Sequence, residues 1–182
     1  ETLNGLRCRY HGRRFDLDGR FRSMPEFEGV EDFPAPCDDL ARVPFGRWGP
    51  FLFASPAPEK PLEVILRPVT DRLGDLVNAP FRFDASRSRD YDVNAHWALY
   101  CDNFLEGFHI PFVHDSLNEV IDYSRYTTET FPGAVLQTAV ARSPEPQFEF
   151  PPGHPDHGRD IAAYYFWVFP NLMLNFYPWG VS

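Results

Sequence analysis

Two histidines, His109 and His114, stand five residues apart in the stretch Asp102-Asn103-Phe104-Leu105-Glu106-Gly107-Phe108-His109-Ile110-Pro111-Phe112-Val113-His114-Asp115, and a carboxylate, Glu106, lies three residues before the first. Helical residues advance about 100° each, so Glu106 and His109 share one face of a helix. On an unbroken helix His109 and His114 point about 140° apart. Pro111 lies between them. It has no N–H, and its ring clashes with the carbonyl four residues back, which predicts a break that lets His114 swing towards the side His109 faces. Two neutral imidazoles and one carboxylate make the facial triad of non-haem Fe(II) sites, with positions left open for O₂. The bland alternative is packing for the histidine pair and a solvated helix position for Glu106.

A second group of ligand-type residues is Cys8-Arg9-Tyr10-His11-Gly12. Cys-x-x-His is half of the ligand set of a Rieske [2Fe–2S] centre, in which two cysteines hold one iron and two histidines the other. Taken alone it suits half a zinc site equally well. The two features in this order narrow the reading.

Through them the sequence resembles a family, the large (alpha) subunits of Rieske non-haem iron oxygenases, or aromatic-ring-hydroxylating dioxygenases. The residues that carry the resemblance are Cys8, His11, Gly12, Phe15 and Gly19 in one half, and Asp102, Asn103, Glu106, His109 and His114 in the other. The likeness extends to the aromatic end, Tyr164 to Trp179. It implies that Cys8 and His11 are half of the cluster ligands and that His109 and His114 hold a mononuclear Fe(II). The family's carboxylate ligand is an Asp far downstream, so the third iron ligand is expected outside this sequence. The resemblance gives Glu106 another role, an acid that bridges to a Rieske-ligand histidine of a neighbouring subunit and carries electrons between them. Most relatives have Asp there; the longer Glu occurs in some quaternary-amine oxygenases. A head-to-tail bridge implies a ring, and the family's form is a homotrimer. The implied activity is O₂-dependent hydroxylation of an aromatic or other small organic substrate, with electrons from NAD(P)H through a reductase or ferredoxin.

The family also carries a Cys-x-His pair upstream of the Cys-x-x-His. Only seven residues precede Cys8, and none is Cys or His. The sequence is therefore expected to be a fragment, truncated at both ends. Where relatives often have Asn-Trp-Lys it has His96-Trp97-Ala98.

The elements that must position these residues follow from pattern. Asn4-Gly5 is a turn signal, Gly12 suits a ligand loop, and Asp18-Gly19 between Arg14–Leu17 and Arg20–Phe21 predicts a hairpin. Val43–Phe45 and Pro50–Phe53 read as strands, and the resemblance implies a return to the Rieske sheet. The proline-rich run Ser55 to Pro61 reads as a linker. The expected domains are 1–58, a partial Rieske [2Fe–2S] domain, and 59–182, a partial mononuclear-iron catalytic domain. Leu62, Ile65, Leu66, Val69, Leu73 and Leu76 recur at helical spacing, with Pro68 as kink or start. Residues 80–94 read as strand, with Phe81 and Phe83 alternating. The segment 96–108 reads as a helix buried on most sides, with His96 packing or capping near its start and Asp102 and Asn103 hydrogen-bonded within it. Val135–Val140, Ile161–Phe169 and Leu172–Tyr177 read as strands, and 143–159 as a surface loop whose His154 and His157 are exposed. The fold class is α+β: the C-terminal half of a β-rich Rieske domain, then part of a helix-grip domain in which an antiparallel sheet holds helices against one face. Phe104, Phe108, Phe112, Leu117 and the Tyr164–Tyr177 strands are candidates for a substrate pocket.

Composition sets the outer limits. Of 182 residues, 43% are hydrophobic and 16% aromatic, which describes a folded chain with a large apolar interior. A net charge of −9 disfavours nucleic acid and anionic membrane surfaces as partners. The longest apolar run, Ile161 to Phe169, is too short for a membrane helix. No signal peptide is visible. Three cysteines, Cys8, Cys37 and Cys101, argue against a disulfide framework and fit a reducing, cytoplasmic setting. The competing classes are an electron-transfer Rieske-type module using only Cys8 and His11, a structural zinc protein adding Cys37, and a catalytically incomplete fragment. The first needs no second metal motif, and the second lacks a fourth ligand at sensible spacing.

Overall fold

A computed structural model describes residues 4–143 and 147–182. The chain divides into two compact units, Glu1–Gly46 with Ala54–Pro58, and Arg47–Phe53 with Glu59–Ser182.

In the first unit, β1 (Leu6–Arg7), β2 (Arg14–Phe15) and β3 (Phe21–Ser23) form an antiparallel sheet in the order β1-β2-β3. The Cys8–Gly12 loop joins β1 to β2 and is closed by Cys8 N–H donating to the Arg13 carbonyl at 2.8 Å. Gly12 has φ +75°, and a Cβ there would meet Pro25 at 3.3 Å, so glycine is the residue this turn takes. The expected hairpin at Asp18-Gly19 is present. The Asp16 carboxylate fixes it, accepting from the Asp18 and Arg20 N–H groups at 2.9 Å and from Arg22 at 2.6 Å. Phe15, Phe21, Phe27 and Phe33 meet edge to face as a small core, with the Arg13 guanidinium over two of the rings.

Next, β4 (Phe45–Trp48) and β5 (Phe51–Ala54) pair with each other as a separate two-stranded ribbon. Among the described residues neither strand pairs with β1–β3, where a return to the Rieske sheet was expected. The close turn at Gly49-Pro50 satisfies the two strands locally instead.

The second unit is built on five antiparallel strands in the order β10-β9-β8-β7-β6. Their ranges are β6 Thr127–Phe131, β7 Ala134–Val140, β8 Ile161–Val168, β9 Leu172–Tyr177 and β10 Gly180–Val181. On one face lie α1 (Leu62–Ile65) and α2 (Arg67–Leu73), followed by a 3₁₀ turn over Gly74–Asn78. Pro68 stands in the first turn of α2, where its missing N–H costs no hydrogen bond. Leu66, Val69 and Leu73 are buried there with Leu136, Tyr164, Phe166 and Phe176.

The opposite face is covered too. Ala139, Ala163 and Tyr165 pack with Ile110, Ile121, Phe104 and Leu117. Helical segments therefore flank the sheet on both sides, where one side was expected. The reason is visible in β8, Ile-Ala-Ala-Tyr-Tyr-Phe-Trp-Val, which is apolar on both faces and buried at seven of eight positions.

Two further expectations are corrected. Residues 80–94 form no strand: Pro80 interrupts the start, Phe83 is exposed, and Asp84 turns the chain by accepting from Ser86 N–H at 2.9 Å and Ser86 Oγ at 2.6 Å. The 143–159 segment is not simply a surface loop. Residues 144–146 of it lie outside the described residues, but Phe148 and Phe150 pack on the core and Asp156 is 1% exposed. Asp156 accepts from the Tyr164 hydroxyl at 2.5 Å and Arg72 Nη1 at 3.1 Å, and it is paired with Arg159. Arg72 also grips Glu129 with 2.7 Å contacts to both oxygens. His154 is half-buried and spends both ring nitrogens inside this knot, one on the Arg72 carbonyl at 2.8 Å and one on Asp156 N–H at 3.0 Å. His157 is exposed, as expected.

Burial by itself would raise the Asp156 pKa; the Tyr164 hydrogen bond and the Arg72 and Arg159 charges outweigh it and hold the carboxyl below its ordinary value. A depressed carboxyl stabilises the fold fully above the ordinary aspartate range, and that contribution drains away as pH falls through the lowered value. Asp156→Ala is predicted to cost about 3 kcal/mol near neutrality, because it leaves half-buried Arg72 with Glu129 alone and strips the buried Tyr164 hydroxyl of its acceptor. Urea denaturation of both proteins from pH 7 downwards checks this, and the gap between them should close only in strong acid.

Candidate metal centre

The centre lies in the second unit, on the turn between α3 (Trp97–Phe104) and α4 (Ile110–Val113). His96 caps α3 as expected, its Nδ1 accepting from Ala98 N–H at 3.2 Å. The helix is not buried on most sides. Cys101 is its one buried residue, and Trp97, Leu99 and Tyr100 are half or more exposed. Asp102 is likewise exposed and, among the described residues, its carboxylate makes no hydrogen bond or ion pair, so the structural acid expected there is not found. Asn103 does serve the site, its Nδ2 lying 3.5 Å from Glu106 Oε1 and 3.3 Å from His109 Nδ1.

Leu105 N–H closes α3 onto the Cys101 carbonyl at 2.9 Å, and the chain then turns. Within that turn Glu106 acts in two directions. Its Oε2 accepts from Phe108 N–H at 2.5 Å and His109 N–H at 3.3 Å. Its Oε1 meets His109 Nδ1 in a short hydrogen bond. That bond to His109, more than any other interaction, holds the Glu106 carboxyl below its usual pKa.

His109 is the residue before α4, and His114 joins α4 to α5 (Asp115–Val120). The helical break thus precedes His109 and recurs at His114, whose φ −113° and ψ 69° are non-helical. It does not fall at Pro111, which sits in the first turn of α4 where no N–H is required. By this different route the two rings are nevertheless brought side by side. The two imidazole rings approach to 5.0 Å between centroids, with their planes at 71°.

The spacing is that of an edge-to-face ring contact and equally one that a shared ion allows. A first-row metal about 2.0–2.1 Å from one nitrogen of each ring, with the rings at right to tetrahedral angles, brings the centroids to about 4.5–5 Å. The carboxylate on His109 Nδ1 adds to the fit, since it fixes the tautomer that leaves Nε2 free to ligate. Glu106 has both oxygens engaged within its own turn. No group of three His, Cys, Asp or Glu side chains among the described residues is arranged to hold a metal, so His109 and His114 stand as a pair. Cys8 and His11 are exposed on their loop in the first unit, and Cys37 is exposed as well.

Beside α5 lies a cleft of about 280 Å³ between Leu117, Val120 and Ile121 on one side and Ala163, Tyr165, Tyr177 and Trp179 on the other. Of the candidates for a substrate pocket, Leu117, Tyr165 and Tyr177 line it, and Phe104 packs into the core beneath. Phe108 and Phe112 do not; they are 77% and 85% exposed. A larger cleft, about 570 Å³, lies against α1 and α2 and is lined by neither histidine.

Sequence reasoning passed over one residue that bears on this turn. Gln137 on β7 is 2% exposed, donates from Nε2 to the Phe104 carbonyl at 2.5 Å, and accepts from the Tyr126 hydroxyl at 3.2 Å. The available signal was a lone amide within the apolar strand Ala-Val-Leu-Gln-Thr-Ala-Val.

Comparison with known proteins agrees with this architecture. Residues 82–181, more than half of the chain, match the family described as ring hydroxylating alpha subunit (catalytic domain). The chloroplastic choline monooxygenase of Arabidopsis thaliana is 27% identical over 94% of this chain and 42% of its own length. The carnitine monooxygenase oxygenase subunit of Escherichia coli K12 is 26% identical over 98% of this chain and 46% of its own. The fold is shared with a quaternary ammonium Rieske monooxygenase studied for carnitine oxidation by gut microbiota and inter-subunit electron transfer. The TM-score is 0.66 and the identity 21%, over 98% of this chain and 47% of that one. The chain spans less than half the length of the curated relatives it matches. It belongs to the ring-hydroxylating alpha-subunit family, and its second unit carries that family's catalytic domain match.

Proposed function

We propose that this chain is part of the large subunit of a Rieske-type oxygenase. Residues 1–58 are read as a partial Rieske domain in which Cys8 and His11 supply half of a [2Fe–2S] ligand set. Residues 59–182 are read as a partial helix-grip domain in which His109 and His114 hold a mononuclear Fe(II), with the third ligand outside this sequence. The observation that carries the reading is the Glu106 carboxylate bound to His109 Nδ1 while the His114 ring stands 5.0 Å away. An Fe(II) held by His109 and His114 would supply O₂-dependent hydroxylation of a small organic substrate, with electrons from NAD(P)H through a reductase or ferredoxin and the cluster.

The chain's own residues do the following. Glu106 Oε1 accepts the His109 Nδ1 proton and leaves Nε2 as the donor. The Phe108 and His109 N–H groups keep the carboxylate from rotating away. Glu106 is also the proposed electron bridge to a neighbouring subunit, within a head-to-tail homotrimer. A bridge of this kind is in keeping with the inter-subunit electron transfer studied in the structural relative. The Tyr165, Tyr177 and Trp179 cleft accepts a compact organic cation, for aromatic faces attract quaternary ammonium groups by about 0.5–2 kcal/mol each. Choline and carnitine, which name the two curated relatives, belong to that class. No helix among the described residues is long and apolar enough to cross a membrane. A cytoplasmic setting belongs to the same proposal, although the Arabidopsis relative is chloroplastic.

Two sets of variants in the complete oxygenase test this. His109→Ala and His114→Ala are each predicted to lower mononuclear iron from one per subunit to near zero by metal analysis, with the Rieske EPR signal kept. Zinc in place of iron in the unmutated protein contradicts the reading. Glu106→Ala is predicted to lose turnover while keeping the cluster and an iron site that still fills with excess Fe(II), its affinity lowered about 10–100-fold by loss of the outer partner of His109. An iron site that stays empty in that variant even with excess Fe(II), while the cluster is still reduced by its donor, would make Glu106 a ligand and end its assignment as bridge.

A further inference from the structure

We infer that Gln137 and Tyr126 are positioning residues that set the Glu106–His109 pair from beneath the α3–α4 turn, an inference that rests on the iron site proposed above. Three contacts carry it. The Gln137 amide donates at 2.5 Å to the carbonyl of Phe104, the last residue of α3 and two residues before Glu106. Its oxygen accepts the Tyr126 hydroxyl at 3.2 Å, which fixes the amide's orientation. The Tyr126 ring then lies directly under Gly107, where an added Cβ would come within 3.2 Å of Cε1 and 3.6 Å of Ile110 Cδ1.

The turn is therefore held at both ends of Glu106, by a hydrogen bond to the residue two before it and by a ring packed beneath the residue after it. Gln137 is anchored in turn. It lies mid-strand on β7, between β6 and β8, and Tyr126 stacks on Tyr165 of β8 with centroids 6.5 Å apart. A buried amide in an apolar strand is costly unless both its ends are satisfied, and here one end is spent on the Phe104 carbonyl at the start of the turn and the other on Tyr126, whose ring packs against that turn. A carboxylate–imidazole pair tolerates little displacement: an outer partner of a metal ligand is typically worth about 10–100-fold in metal affinity or activity.

The test uses Gln137→Leu and Tyr126→Phe in the complete protein, read by histidine ring ¹⁵N NMR without metal and by Fe(II) competition titration. In the unmutated protein the His109 ring should give the shifts of a fixed Nδ1–H tautomer. Both variants are predicted to move the His109 signals towards an exchanging mixture, with His96 and His154 unmoved, and to weaken Fe(II) binding about tenfold or more. A purely structural role would lower the unfolding midpoint and leave the His109 shifts of the folded fraction where they were; that result overturns the inference. If Gln137→Leu does not fold, Tyr126→Phe, which removes one hydroxyl and keeps the ring, decides by the same shifts. Should the unmutated protein bind no iron, the oxygenase reading fails, while the metal-free His109 shifts still judge the positioning role.

Discussion

A carboxylate placed three residues before a histidine, on a turn and not on a helix, is the constraint from which the rest of the site follows. Glu106 can bind His109 Nδ1 with one oxygen and two backbone N–H groups with the other because the chain leaves α3 at Leu105 and re-enters a helix at Ile110. On a continuous helix those N–H groups would be spent on carbonyls four residues back, and the carboxylate would have no anchor of its own. The pair then fixes which imidazole nitrogen faces outward. His114, released from helical geometry at its own junction, brings its ring to the same place.

The sheet supplies rigidity that short helices lack. α4 has four residues and α5 six, too few to be stable by themselves. They hold their places because Ile110, Leu117 and Ile121 pack on Ala139, Ala163 and Tyr165, small and large residues interleaved on one face of β7 and β8. The other face is closed by α1 and α2 and locked by the knot of half-buried Arg72 with buried Asp156 and Tyr164. A strand covered on both sides is a stiff platform. Gln137 connects that platform to the turn.

Much of this was legible in the residues themselves. The spacing of Glu106, His109 and His114, the Asp18-Gly19 hairpin, the helical recurrence from Leu62 and the strand Leu172–Tyr177 all follow from local chemistry, and the structure keeps them. What sequence could not give depends on partners distant in the chain. Phe81 and Phe83 alternate as in a strand but, among the described residues, pair with none. The apolar residues of α3 suggested burial, yet Trp97, Leu99 and Tyr100 are exposed in this chain. Pro111 was a sound signal for a break, but proline is also at home in a first helical turn, and the helix stops earlier. Asp156 lay in a stretch that read as surface loop. Its burial depends on Arg72, 84 residues away, and on Tyr164.

The central claim is that two imidazoles of this chain share one iron while Glu106 stays outside the coordination sphere. Anomalous diffraction at the iron edge from crystals of the complete oxygenase tests it most directly. The account predicts a peak bonded to His109 and His114, with Glu106 on the far nitrogen of His109. A peak bonded to Glu106, or none between the two rings, would contradict it.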